Sequence, residues 1–169
     1  MREMTKRKPN RILNHDYRQN GAYFVTFCVK DRHEILGEIV GATVPGRPNI
    51  IKLSEIGKTV DDAIMYYNEN LQGVVFDRYV IMPNHIHAIV VIRHETNGEV
   101  RSPLQYIVRN LKSYVTKKTG FSLWQKSFHD HIIRDKSDYN RISEYIENNH
   151  ANWENDCFSV DVNARGTNK

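Results

Sequence analysis

Two histidines one residue apart, His85 and His87 in the run MPNHIHAIVVI (Met82 to Ile92), are the first residues whose types and spacing could do chemistry. The run around them is apolar and β-branched. In a strand, residues two apart share a face, so both imidazoles point one way and Ile86 points the other. Two neutral imidazoles can hold one divalent ion and still leave positions for water and a phosphate oxygen, as metal-assisted phosphodiester chemistry requires. Taken alone, such a pair is more often solvent-facing or a hydrogen-bonded structural pair.

Near the end of the chain, Tyr145 and Asn149 in SEYIENN are four residues apart, so on a helix they lie one above the other. A phenol with an ordinary pKa of about 10 is a poor nucleophile at neutral pH and needs activation, which a nearby metal ion could supply at the phosphate. Asn149 could add a third, oxygen ligand. The competing reading makes Tyr145 a half-buried core tyrosine beside Ile142 and Ile146. Tyr114, in the basic stretch LKSYVTKK, is the rival nucleophile, while Tyr106 and Tyr139 lack a ligand-type neighbour at helical spacing. His129 and His131 in FHDHIIRD form a second pair, which could sit near the site, bind DNA or serve structure.

These groups must be positioned by elements that the hydrophobic pattern delimits. Ala22 to Val29 (AYFVTFCV) reads as a buried first strand after Asn20-Gly21. Ile35 to Val40 and Ile50 to Leu53 are short apolar runs around the loop GATVPGRPN, which suits a small hairpin. Ser54 is an N-cap for a helix on which Ile56, Val60, Ala63, Ile64, Tyr67 and Leu71 recur at three and four. Val74 to Met82 and His85 to Ile92 form a central hairpin turning at Pro83-Asn84. Ser102-Pro103 opens a second helix carrying Leu104, Val108, Leu111 and Val115, Phe128 to Ile133 is a further strand, and Ser137 opens a third helix. The irregular alternation, with hairpins between neighbouring strands, predicts an α+β single domain: an antiparallel β-sheet with packed helices. The expected boundaries are a basic arm over 1–20, the folded domain over 21–158 and a tail over 159–169.

The 169 residues suit one core, and a composition 40% hydrophobic and 26% charged excludes a disordered chain. No apolar run reaches the roughly 18 residues of a membrane span, and the N-terminus lacks a signal peptide's apolar stretch, so a cytoplasmic location is expected, with no membrane partner. Cys28 and Cys157 are far apart and suggest neither a disulfide framework nor a metal site. The net charge of +4 is unevenly spread. Arg2, Lys6, Arg7, Lys8, Arg11 and Arg18 face only Glu3 and Asp16 in residues 1 to 18, and Arg101, Arg109, Lys112, Lys117 and Lys118 fall in a stretch without acids. Such clusters serve either solubility or polyanion binding. On the second reading Arg7, Lys8, Arg109, Lys112 and Lys118 are the phosphate contacts.

Taken together, HDYRQNGAYFVTFCVKDR, MPNHIH, LWQKSFHDHIIRD and YIENN, in this order, resemble the HUH single-tyrosine transposases, and among them the REP-associated tyrosine transposases. The likeness covers most of the chain. It implies a ferredoxin-like, RRM-like HUH fold and a transposase that cuts and rejoins single-stranded DNA by transesterification through a 5′-phosphotyrosine. It also implies His85 and His87 as ligands of Mg²⁺ or Mn²⁺, Tyr145 as nucleophile and Asn149 as the residue four positions on that completes the metal site. Because it assigns the metal to this first histidine pair, it favours a structural role for His129 and His131. The partner it implies is single-stranded or hairpin DNA at the bacterial nucleoid, with the protein as a monomer or a homodimer. Related sequences usually continue as Asn-Pro where this chain has Asn149-His150, which leaves the helix free to run on and adds His150 as a competing ligand. Two alternatives share the fold: a DNA-hairpin-binding protein without cutting activity, and a metal-dependent nuclease that uses water.

Overall fold

The centre of the molecule is a strand with almost no exposed side chain, His85–Ile92 (β5). Its residues alternate between two layers, and both layers are covered. In the computed structural model, which describes residues 20–41, 50–93 and 104–155, β5 lies between Val74–Ile81 (β4) and Gly21–Cys28 (β1), and β1 in turn pairs with His129–Ile133 (β6). All three pairings are antiparallel. Gly37–Val40 (β2) and Ile50–Leu53 (β3) form a separate two-stranded hairpin. Among the described residues three α-helices complete the fold: Glu55–Asn70 (α1), Leu104–Thr119 (α2) and Lys136–Asn148 (α3). The molecule is an α+β single domain, as the pattern predicts. The basic arm with Arg7 and Lys8, the 42–49 loop, Ser102-Pro103, Cys157 and the 159–169 tail lie outside the described residues.

One face of the sheet, carrying Tyr23, Val25, Phe27, Ile86, Ala88 and Val90, packs against Val60, Ala63 and Ile64 of α1 and Leu104, Val108 and Leu111 of α2. The other face, with Ile89 and Ile133, takes Ile142 and Ile146 of α3, with Phe24 packed beside them. The odd-numbered residues of β5, including both histidines, therefore face α3. A bulge between Phe76 and Arg78 interrupts the β4–β5 ladder. On the open side of β4, the Asn68 side chain receives a bond from Phe76 N–H at 2.8 Å and donates to its carbonyl at 3.1 Å, satisfying edge groups that would otherwise meet water.

Ser54 caps α1 as expected, its hydroxyl accepting from Gly57 N–H at 3.1 Å. Gly57 is required there, because a Cβ would stand 1.9 Å from the Leu36 carbonyl oxygen. The third helix starts one residue earlier than expected. Its cap is Asp135, whose carboxylate accepts from Asp138 N–H at 2.9 Å, and Ser137 sits inside the first turn. A carboxylate at the N-cap also meets the positive end of the helix dipole, which favours it over the serine two residues on.

Candidate active site

The dipeptide Pro83-Asn84 makes the turn that delivers both histidines, and the turn is clasped from several sides. Met82 N–H donates to the His85 carbonyl at 2.9 Å, Leu36 N–H to the Pro83 carbonyl at 2.9 Å, and Val29 N–H to the Asn84 carbonyl at 2.8 Å. The Asn84 side chain is fully buried and donates through Nδ2 to the Arg32 carbonyl at 3.3 Å. Arg32 and its neighbour Asp31 both hold positive φ, 56° and 54°, a conformation costly for side-chain-bearing residues.

Both imidazoles are buried. His85 Nδ1 lies 2.9 Å from the Asn84 amide oxygen, which can only accept, so Nδ1 carries the proton and Nε2 the lone pair. His87 Nδ1 is held at 2.7 Å by the Thr26 hydroxyl from the paired position on β1. The hydroxyl can donate or accept, so His87 either gives an Nε2–H to His85 or presents a second lone pair. The two Nε2 atoms are 3.0 Å apart. Two nitrogens about 2.1 Å from one cation, at roughly a right angle, are about 3.0 Å apart, so the pair fits a shared divalent ion. Burial and the positive charge of Arg32 push the His85 pKa down to about 3, which keeps that nitrogen available to a cation rather than to a proton.

Across from the histidines stands Tyr145 of α3, its hydroxyl 3.2 Å from His87 Nε2 and the residue 41% exposed. Phe24 stacks on His87 at 5.3 Å between centroids and meets the Tyr145 ring edge-on at 6.0 Å, so one aromatic side chain sets the angle between both groups. Trp153 lies over His85 at 6.0 Å. The height of Tyr145 above the sheet is set by Ile142 and Ile146 below it, by the Tyr139 hydroxyl donating to the Asp77 carboxylate, and by the Arg78–Glu147 pair at 3.8 Å. Asn149 is buried one turn beyond Tyr145 with helical φ and ψ of −60° and −41°, and the chain continues as a 3₁₀ turn over Asn149–Asn155. Without a proline after Asn149 the helical path does run on. Among the described residues no third His, Cys, Asp or Glu groups with the two histidines.

The second histidine pair shares the sheet face of the first, with His129 beside Thr26 and His131 beside Phe24 in the register, and the other expected residues lie elsewhere. His129 and His131 are exposed on β6, and His131 Nε2 contacts the Asp138 carboxylate at 2.7 Å, tying β6 to the start of α3. Tyr114 belongs to the opposite layer, on α2. Arg109 and Lys118 are exposed on that helix as well. Lys112, expected on phosphate, is a correction: it is buried, and its ammonium donates to the Gln125 and Ser127 carbonyls, each at 3.0 Å. It faces inward because Trp124 Nε1, bonded to the Lys112 carbonyl at 3.1 Å, draws the 123–127 segment against α2. Thr26, Asn84, Phe24 and Trp153 were not singled out by spacing. The one visible signal was Thr26, a hydroxyl inside an otherwise apolar strand.

The fold is shared with a protein of known structure. It matches a solved REP-associated tyrosine transposase bound to a REP hairpin with a TM-score of 0.61 at 20% identity, over 83% of this chain and 73% of that one. The chain belongs to one family with an uncharacterized protein of Haemophilus influenzae, 32% identical over 176 aligned positions that span 92% of this chain and 94% of the relative. No family model matches the chain. Among the described residues no helix is long and apolar enough to cross a membrane.

Proposed function

We propose that this protein is a metal-assisted transposase and endonuclease that cuts and rejoins single-stranded DNA through a covalent bond to Tyr145. The observation that carries the reading is the line of three polar atoms: Tyr145 Oη lies 3.2 Å from His87 Nε2, which lies 3.0 Å from His85 Nε2. The transposase fold supports the same reading, and the structural neighbour's bound REP hairpin suggests the type of ligand. His85 and His87, with Asn149, would hold Mg²⁺ or Mn²⁺, which when bound supplies positive charge to the non-bridging oxygens of the scissile phosphate.

In this mechanism the Tyr145 oxygen attacks phosphorus, an O–P bond forms to the phenol, and the bond from phosphorus to the 3′-oxygen breaks. The phenolic proton is lost through the exposed side of the ring, and the departing 3′-oxygen takes one up. Protein and 5′-phosphate stay joined, so an incoming 3′-hydroxyl can reverse the step without another energy source. Asn84 and Thr26 hold the imidazoles at their Nδ1 atoms, and Phe24 keeps phenol and imidazole in register. Arg7 and Lys8 supply cations to flanking phosphates, and Arg109 and Lys118, on the far face of the sheet, supply them to more distant phosphates of the same DNA. A location at the nucleoid and action as a monomer or homodimer belong to the same proposal.

The test is adduct formation. Hairpin DNA with single-stranded flanks, labelled on the 3′ side of the cut, is incubated with protein and Mg²⁺ or Mn²⁺ and run under denaturing conditions. Wild type should give a labelled protein band, and Tyr145→Phe, which keeps the ring packing, should give none. Binding without an adduct would leave a hairpin-binding protein, and cleavage untouched by Tyr145→Phe would mean that water is the nucleophile.

A further inference from the structure

On the opposite side of the sheet from the histidines, α1 and α2 bring four tyrosines together, Tyr66 and Tyr106 exposed and Tyr67 and Tyr114 partly buried against the core. Tyr66 stacks on Tyr114 at 6.4 Å between centroids with the planes 5° apart, and Tyr67 meets Tyr66 edge-on at 6.2 Å. The Tyr67 hydroxyl is held above its usual range first by burial and then by the phenols of Tyr106, Tyr66 and Tyr114, which places all four in one neighbourhood. Tyr66 and Tyr106 are 54% and 43% exposed, far more than core packing requires. Two cations lie over ring faces: the Arg109 guanidinium 5.3 Å from the Tyr106 centroid and the Lys118 ammonium 5.7 Å from that of Tyr114.

We infer that this tyrosine and cation strip is a second binding surface, on which unpaired bases of a single DNA strand stack while its phosphates follow the basic edge of α2. Every base has a π face, so exposed rings beside cations bind single strands with little regard to sequence. Tyr106 and Tyr114 are eight residues apart on α2, about 12 Å of helix, so more than one base can be engaged. Charge fixes the direction. The α2 edge exposes Arg109, Lys117 and Lys118, and no acid occurs from 101 to 120, whereas Asp62 and Glu69 flank Tyr66 at helical spacing on α1. The strand's backbone is therefore drawn to α2 and kept off α1. The inference rests on the proposed function only in taking single-stranded DNA as the ligand.

A strand held at Tyr145 has to pass round an edge of the sheet to reach the strip, so substrate length separates the two surfaces. The experiment measures binding of a long labelled oligothymidylate by anisotropy, together with adduct formation on a hairpin whose flanks end close to the cut. Tyr66→Ala with Tyr106→Ala, both exposed, should weaken oligothymidylate binding at least about 10-fold. Adduct formation on the short hairpin should be unchanged, and phenylalanine at both positions should restore binding. Unchanged oligothymidylate affinity in the alanine variant would overturn the inference. So would unchanged affinity with altered sedimentation, which would make the strip a contact between two copies of the chain. If binding depends on the strip but wild type forms no adduct, the cutting mechanism fails and the strip stands. If an adduct forms but binding is independent of the strip, the strip fails and the cutting mechanism stands.

Discussion

Thr26 is the residue on which the chemistry of His87 turns. Its hydroxyl is 2.7 Å from Nδ1 and buried, so no water can replace it without rearrangement. Outer-shell partners of this kind commonly change metal affinity or activity by about 10- to 100-fold. Thr26→Val should therefore lower Mn²⁺ affinity and adduct rate within that range while costing about 1 kcal/mol of stability, and Thr26→Ser should recover most of the rate. Equal rates in all three proteins would show that His87 needs no such partner. His85 makes a pH prediction. Its native pKa is about 3 against 6.5 in the unfolded chain, so between those values the unfolded state binds more protons. Stability from this group therefore falls as pH drops through that window, by up to about 1.4 kcal/mol per pH unit. Urea denaturation should show a flatter acid limb for His85→Gln than for wild type, and parallel limbs would contradict the assignment.

Helices and turns carry these residues, and their own constraints are testable. The Leu36 backbone connects the start of α1 to the histidine turn, since its carbonyl accepts from Ser54 N–H while its N–H donates to Pro83. Gly57→Ala would drive a methyl into that carbonyl, 1.9 Å away without movement. The expected cost is about 1–3 kcal/mol or more, read as a lower urea midpoint with the slope unchanged. Lys112→Met removes the donor for two carbonyls and should cost about 1–3 kcal/mol, although it deletes a buried charge. A neutral outcome would show that those carbonyls find other partners. At this scale the sequence was informative where periodicity is strong. The α1 cap at Ser54, the turn at Pro83-Asn84 and the body of each helix are where the pattern puts them, while the start of α3 is shifted. The Asp135 cap differs from the expected Ser137 because Asp and Ser are comparable caps, and choosing between two that stand two residues apart depends on which N–H is left open. Lys112 was misread because its spacing marks a helix face and cannot reveal the carbonyls that meet it there.

Across the whole molecule, the limits of the sequence are those of long-range pairing. The β4–β5 hairpin is local and readable. That β1 enters beside β5, bringing Thr26 opposite His87 from 61 positions away, depends on the register of the complete sheet. The same holds for α3: a helix bearing Tyr145 was legible, but not the side of the sheet on which it packs. The finished arrangement puts the histidine pair and Tyr145 on the α3 face and a tyrosine strip on the α1–α2 face, with the shared sheet holding both. The central claim is that Tyr145, among the nine tyrosines of the chain, carries the DNA. The most direct measurement is mass spectrometry of protease-digested adduct, to find the peptide that bears the 5′-phosphorylated nucleotide. A modified peptide containing Tyr145, absent from Tyr145→Phe, is the expected result. A nucleotide on Tyr114 or any other residue would contradict the mechanism.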